Sequence, residues 1–438
     1  MRNFRQFYDF IFRKNIESGG EAREPMVVQR PRPKDRNPSN REPRFRTSAT
    51  DRSGTGDVAR SLQRIREAFL PTQPVTSRAM FAGRQSLLAN LIEAVEDQRA
   101  HLVLHGQRGI GKTSLLRVLK EAAEEADYLV IHENCGAATK FDSLFRNIAG
   151  RVPLRYNGSL SPAEAQAQAE GTLADLLERN AGPREVSQLF SQLAGTRCII
   201  VLDEFDRARA PQFKADIAEF IKNLSDASAR VQLIISGVGQ NLHELLGHSP
   251  SIRRNVLAFA VGRLTDDEVS VIVELGERHA GLKFDAAARA AIVKYSHGFP
   301  YVGRLLSHLA ALRSMAVGKR SVTTEEVSFA LQHALSDLDR GLEPATRSAL
   351  AEWIRSDPAK MRELLNTAFD ATGSISAEEI ASRCGGSEQE AKVFLDGVAS
   401  TGFLANMENG HARYELKDQQ GMTGYLLLAT AAHGEGPA

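Results

Sequence analysis

The sequence predicts an α/β protein. A parallel sheet flanked by helices comes first, then an all-helical domain, then a C-terminal winged helix-turn-helix. Three observations predict this. Five short apolar runs alternate with helical patterns up to residue 263. The glycine-rich stretch HGQRGIGKTS, residues 105–114, falls between the first such run and a helix. Beyond residue 263 the patterning is helical until a final pair of strands flanking Asn409-Gly410.

The first run, HLVLHG at 101–106, enters the glycine loop, and a helix follows from about Lys112 with Leu115, Leu116 and Leu119 on one side. YLVI at 128–131 is the second strand. CIIVLDE at 198–204 is continuously apolar and ends in acid, the pattern of a strand buried on both faces of a parallel sheet. VQLIIS at 231–236 and VLAFAV at 256–261 complete the five. Between the second and third runs, SPAE at 161–164 offers Ser161, Pro162 and Glu164 as a helix start, so an additional helix is expected there. Four helices are expected at about 265–280, 284–296, 299–316 and 323–336, the last opened by Thr323 and Glu326 as a capping box. A helix near 359–371 precedes two more, begun by the pairs Ser376/Glu379 and Ser387/Glu390. FLANM and ARYEL then form a hairpin. Three helices and a hairpin in that order make a winged helix.

With 438 residues the chain has room for about three domains on the usual prior. Its net charge of +1 singles out neither nucleic acid nor membrane. The distribution of charge says more. Residues 1–60 carry 14 Lys/Arg against 8 Asp/Glu, and residues 341–438 carry 8 against 14. The first 18 residues set Phe4, Phe7, Tyr8 and Ile11 at helical spacing. Residues 18–57 are rich in Pro, Ser, Gly and Arg and are expected to be disordered, with arginines suited to phosphates on DNA or RNA. The three cysteines, Cys135, Cys198 and Cys384, form no CxxC pair, which fits a reducing compartment and gives no zinc site. No apolar run approaches the ~20 residues of a membrane span, and no secretory signal is visible, so a cytoplasmic protein is expected. The expected domains are 1–60 (basic tail), 61–263 (sheet domain), 264–337 (helical domain) and 338–438 (winged helix).

Gly106-Gln107-Arg108-Gly109-Ile110-Gly111-Lys112-Thr113 satisfies G-x-x-x-x-G-K-[ST] in full, with Ser114 following. Its glycines let backbone N–H groups face nucleotide phosphates, helped by the N-terminal end of the next helix. Lys112 is placed to reach the β/γ-phosphates and the Thr113 hydroxyl to bind Mg²⁺. A carboxylate at a strand tip can hold the same metal through water, and Asp203 sits there. Glu204, directly after it, is placed to orient and deprotonate an attacking water. That acid pair points to a nucleoside-triphosphate hydrolase rather than a small-molecule kinase. No guanine-reading Asn/Thr-Lys-x-Asp motif appears, which favours ATP. Asp206 is read as a surface residue. His243 and His248 are five apart and do not share a helix face, so HELLGH is no zinc-protease site.

From about residue 77 to 337 the chain resembles the AAA+ ATPases. It is closest to the clade of origin-recognition initiators, transposon target-selectors and STAND signalling ATPases. MFAGRQSLL, with Phe81, Gly83 and Arg84, resembles that clade's F-x-G-R box, which lies near the adenine. Ser236 matches the sensor-1 position. SIRRNV stands between the fourth and fifth strands, where the resemblance implies an arginine finger; Arg254 is the first choice and Arg253 the second. HGFPYVGRLL resembles the lid's G-x-P motif, with Gly298 and Pro300, and Arg304 on the same helix is a candidate sensor-2 arginine. The resemblance implies ATP and Mg²⁺ as ligands and a homo-oligomer assembled through the ATP site.

The winged helix carries its own implication. Such a module after an AAA+ lid resembles the initiator arrangement, in which it grips DNA. Yet the helix expected to read the groove, SEQEAKVFLDGVAST, holds Glu388, Glu390 and Asp396 against Lys392 alone. Three readings follow: an ATP-driven switch in transposition, replication initiation or phage defence; a STAND-like signalling ATPase whose winged helix docks protein or holds it closed without DNA; and an ATP-binding regulator with negligible turnover. In the first, the basic tail and the ring surface are the better DNA sites.

Overall fold

A computed structural model describes residues 57–71, 78–160, 170–239, 241–247, 252, 254–341, 348, 352–353, 356–370, 374–407 and 413–416. The expected N-terminal helix and tail, the SPAE helix start, Arg253 and the Asn409-Gly410 turn all lie outside these residues.

Five parallel strands form the central sheet: β1 (His101–His105), β2 (Leu129–Asn134), β3 (Cys198–Asp203), β4 (Val231–Gly237) and β5 (Val256–Ala260). Their order is β2-β3-β4-β1-β5. β3 and β4 are buried along their whole length, which explains why both read as unbroken apolar runs. The sheet separates two apolar layers. On one face, α2 (Gln85–Glu96) and α3 (Lys112–Glu125) pack Leu91, Leu115 and Leu116 against Leu102, Leu104, Val201 and Ile234. On the other, α4 (Phe141–Ala149), α5 (Pro183–Ser191) and α6 (Pro211–Asp226) bring Phe145, Phe190 and Phe220 together over Val103, Ile200 and Ile235. Phe145 and Phe220 lie 4.4 Å apart between ring centroids. This alternation along each strand assigns Asp203 and Ser236 to the α3 face.

A short helix, α7 (Leu242–Leu246), follows β4. The helical domain then contains α8 (Asp266–Ala280), α9 (Ala286–Ser296), α10 (Pro300–Ala316) and α11 (Thr324–Gly341), close to the expected bounds. The capping carboxylates are in place: Thr265 pairs with Glu268, and Thr323 N–H donates to Glu326 Oε2 at 2.9 Å. The domain is not purely helical as expected. A two-residue parallel ladder, β6 (Lys283–Phe284) with β7 (Ser321–Val322), ties the loop before α9 to the loop before α11. The described part of the chain begins with α1 (Asp57–Phe69), which lies against α8 and α10 of the helical domain rather than on the sheet. Phe69 fills the space beside Gly276, where an added Cβ would stand 2.0 Å from its ring.

The last described unit comprises α12 (Pro358–Asp370), β8 (Ser374–Ser376), α13 (Ala377–Cys384), α14 (Glu388–Ser400), β9 (Leu404–Met407) and β10 (Arg413–Leu416). The strands form an antiparallel sheet in the order β8-β10-β9. Both expected capping boxes are present, Ser376 with Glu379 and Ser387 with Glu390. β8 is the element that sequence patterning did not reveal.

Candidate nucleotide site

The loop after β1, the tip of β3 and the tip of β4 meet at the C-terminal edge of the sheet. β4 lies between β1 and β3, with Leu104 opposite Ser236 on one side and Leu202 opposite Ile235 on the other. The phosphate-type loop and the acid pair are therefore two strands apart, with Ser236 between them.

Local chemistry shapes the loop. Gly106, at φ 152°, passes so close to the chain after β5 that a Cβ would lie 2.6 Å from the Val261 carbonyl oxygen. Gly111, at φ 99°, precedes α3 in the left-handed region and supplies the turn into it. Lys112 folds its Nζ back onto the loop and donates to the carbonyls of Gly106 at 2.7 Å and Gln107 at 2.8 Å. Burial lowers its pKa to about 8, opposed by the charges of Asp206 and Asp203. Thr113 Oγ1 donates to Asp203 Oδ2 at 2.8 Å, and the other carboxylate oxygen accepts the Glu204 N–H at 2.9 Å. Asp203 is 2% exposed. His132 on β2 places Nε2 3.8 Å from Asp203 Oδ2; burial lowers the His132 pKa, against the pull of Asp203.

Glu204 begins a 3₁₀ turn in the left-handed region, at φ 53°. The turn brings residues i and i+3 into line, and Arg207 Nη1 donates to Glu204 Oε2 at 2.6 Å. Asp206 is exposed, as expected, but also structural: its Oδ1 accepts the Val238 N–H at 2.8 Å and so joins the tips of β3 and β4. The Ser236 hydroxyl is fully buried and has no hydrogen-bond partner among the described residues; Gln107 Oε1 is in the same condition.

The F-x-G-R segment meets the loop through Arg84. Phe81 is in the apolar core. Gly83 turns at φ 72° with the Glu268 carboxylate occupying the place of a side chain, and the Arg84 N–H donates to Glu268 Oε1 at 2.6 Å. The Arg84 guanidinium is buried and donates from Nη2 to the carbonyls of Ile110 and Gly262. Pro300 opens α10, and its Cγ lies 3.6 Å from the Cβ position of Gly111. Arg304 points elsewhere. It is buried and donates from Nη2 to the Ala68 carbonyl at 3.4 Å, at the end of α1. The structure thus brings Arg84 and Pro300 to the loop, leaves Phe81 in the core and Gly83 against Glu268, and leaves Arg304 on α1. Arg108 and Gly109 are exposed on the loop, and Arg254 is exposed in the turn before β5. Glu268 and Arg207 were not singled out in the sequence. Glu268 was visible only as the third residue of the Thr265 capping box.

The donor set fits a divalent cation of the Mg²⁺ kind. Such ions take one or two protein oxygens and fill the remaining positions with phosphate and water. Thr113 and Asp203 supply a hydroxyl and a carboxylate already in register. Among the described residues no group of three or more His, Cys, Asp or Glu forms an all-protein metal cage.

A parallel sheet in this order, with a G-x-x-x-x-G-K-T loop facing a strand-tip carboxylate across an intervening strand, defines a P-loop nucleotide-binding domain. Residues 81–235 match the family described as the AAA ATPase domain. A comparison with curated proteins finds no match. Solved structures that align with the chain include the Thermotoga maritima RuvB Holliday junction branch migration motor, at 17% identity over 79% of this chain and 95% of that one, with a TM-score of 0.43. Cdc6p from Pyrobaculum aerophilum aligns at 14% identity over 84% and 99%, with a TM-score of 0.44. The Aeropyrum pernix Orc1 protein in complex with DNA aligns at 16% identity over 82% and 96%, with a TM-score of 0.42. Among the described residues no helix is long and apolar enough to cross a membrane.

Proposed function

We propose that the chain is an ATP-driven molecular switch that binds ATP with Mg²⁺, hydrolyses it and assembles with copies of itself in the ATP-bound state. The observation that carries this reading is the 2.8 Å bond between Thr113 and Asp203, made across β4 with Lys112 beside it. Phosphoryl transfer is positioning plus charge neutralisation, and these groups are of the right kinds for it. Backbone N–H groups of Gly106–Ser114 cradle the phosphates, and Lys112 exchanges its two carbonyl partners for phosphate oxygens. Thr113 and Asp203 would hold Mg²⁺, which would supply charge neutralisation at the phosphates. Glu204 takes the proton of the attacking water, and the buried, unpartnered Ser236 hydroxyl at the neighbouring strand tip orients it. Phe81, Gly83 and Pro300 line the nucleoside side. Arg254, with Arg253 as the second choice, acts on the ATP of a neighbouring copy; its exposure leaves it open to such a contact.

The C-terminal unit reads as a winged helix, α14 being its second helix-turn-helix element. In the first reading the switch serves a DNA-linked process, transposition, replication initiation or phage defence, with the basic N-terminal tail and the ring surface meeting DNA. One observation favours a second reading, a STAND-like signalling ATPase whose C-terminal unit docks protein. The outer face of α14 shows Glu388, Gln389, Lys392 and a Val393 that is 66% exposed, while Asp396 is tied to the Tyr414 hydroxyl at 2.6 Å. That face lacks the positive charge a duplex needs.

ATP hydrolysis by wild type and Glu204→Gln, each with and without duplex DNA, tests both. Turnover lost in Glu204→Gln and stimulated by DNA in wild type supports the first reading. Turnover lost in the variant but indifferent to DNA supports the second. Equal turnover in both proteins overturns the catalytic assignment.

A further inference from the structure

We propose that Arg84 is a positioning residue of the phosphate site, acting on the phosphates through the Ile110–Gly111 peptide and not by touching the nucleotide base. The inference rests on the ATP reading above and changes the role that resemblance implies for the F-x-G-R arginine.

Arg84 is 8% exposed, low for a side chain that keeps its charge. A buried cation must be matched by acceptors, and here they are main-chain carbonyls. A single nitrogen, Nη2, donates to Ile110 at 2.6 Å and to Gly262 at 2.7 Å. Nη1 stands 3.0 Å from where a Gly111 Cβ would be, so the guanidinium lies directly against the loop at Gly111. The residue's own N–H is bonded to Glu268 on α8, and the Glu268 carboxylate also accepts the Thr265 N–H. One residue thus joins the phosphate loop, the segment leaving β5 and the first helix of the helical domain.

The chemical effect follows from the peptide group. The Ile110 carbonyl and the Gly111 N–H belong to one amide. A charged donor on the carbonyl polarises that amide and makes its N–H a stronger donor, as chains of hydrogen bonds reinforce one another. The N–H groups of such a loop are the ones that meet phosphate. The guanidinium also adds a fixed positive charge beside the loop, at Ile110 and Gly111. Both effects grow with the number of phosphate charges in front of the loop. A contact with adenine would not.

The test is calorimetric titration of the full chain with ATP, ADP and AMP, in Mg²⁺ buffer, and with GTP as a base control. Arg84→Met keeps the stem and removes charge and donors. Arg84→Gln keeps a donor without charge, and Arg84→Lys keeps both on one nitrogen. Loss of a charge-assisted interaction predicts a rise in ATP Kd of roughly tenfold or more in Arg84→Met. The rise should be smaller for ADP, and AMP should change little. Arg84→Gln should behave like Arg84→Met, Arg84→Lys should restore most of the affinity, and the ATP/GTP ratio should stay as in wild type. An equal loss for ATP, ADP and AMP, or a changed ATP/GTP ratio, overturns the proposal in favour of a base contact. No loss overturns it outright. Thermal melting identifies a variant that fails to fold, and Arg84→Lys against Arg84→Gln then carries the comparison. A wild type that binds no nucleotide is a separate result: it removes the ATP reading itself, and this inference with it.

Discussion

Acid should loosen the sheet at His101. This imidazole is 3% exposed at the start of β1. Its Nδ1 accepts the Leu233 N–H of β4 at 2.9 Å, and its Nε2 lies 3.2 Å from Ser225 Oγ. The Ser225 hydroxyl donates to the Ile221 carbonyl at 2.9 Å, so its oxygen is the acceptor for His101, and the proton of the neutral ring resides on Nε2. Protonating Nδ1 would break the bond to Leu233. Burial accordingly lowers the His101 pKa to about 4, against about 6.5 in an unfolded chain. The unfolded state binds more protons between these values, so stability is complete above about pH 6.5 and is lost as pH falls towards 4. By linkage the loss is about 2 kcal/mol at pH 5 and about 3 kcal/mol once pH has passed through 4. His297 and His308 are lowered to about 4 by burial too, so a variant must isolate His101. Asn is suitable, because its Oδ1 can accept the Leu233 N–H and does not titrate. Urea unfolding at pH 7.5 and pH 5, with hydrogen exchange at the Leu233 amide, should show His101→Asn losing about 2 kcal/mol less than wild type over that interval. Identical losses in the two proteins would show that His101 is not the group that titrates.

Other consequences can be measured as directly. Glu204→Gln should cut turnover by roughly 10²–10⁴-fold while ATP still binds, read by steady-state hydrolysis beside calorimetry. Arg254→Ala should lower turnover by roughly 10³-fold or more at protein concentrations that permit assembly, with the ATP Kd unchanged. If it changes neither turnover nor assembly, the finger lies elsewhere. Gly276→Ala should destabilise the packing of α1 on α8 by about 1–3 kcal/mol, because its Cβ would overlap the Phe69 ring; thermal melting reads this as a lower Tm.

The parts of the molecule that sequence reveals are those governed by neighbours in the chain. The glycines of the loop, the capping pairs at Thr323, Ser376 and Ser387, and the apolar runs of β3 and β4 are all local patterns, and all were legible. Strand order is not local. Nothing in VQLIIS says that it separates β1 from β3, although this placement puts Ser236 between the loop and the acids. β8 and the β6–β7 ladder are too short to show a period. Arg304 and Arg84 show the same limit in side chains. Spacing places each near a motif, but the carbonyl that accepts its proton, Ala68 in one case and Ile110 with Gly262 in the other, comes from a distant part of the chain. The left-handed turn at Glu204 and its bond to Arg207 likewise appear only with the backbone in hand.

The Thr113–Asp203 pair and the surrounding loop should form a nucleotide site that requires a divalent metal. Calorimetric titration of the folded chain with ATP, in Mg²⁺ and again in excess chelator, tests it most directly. One site per chain is expected, tight with Mg²⁺, weakened by the chelator, and abolished in Lys112→Ala. Binding indifferent to both the metal and Lys112, or no binding by wild type, would contradict it.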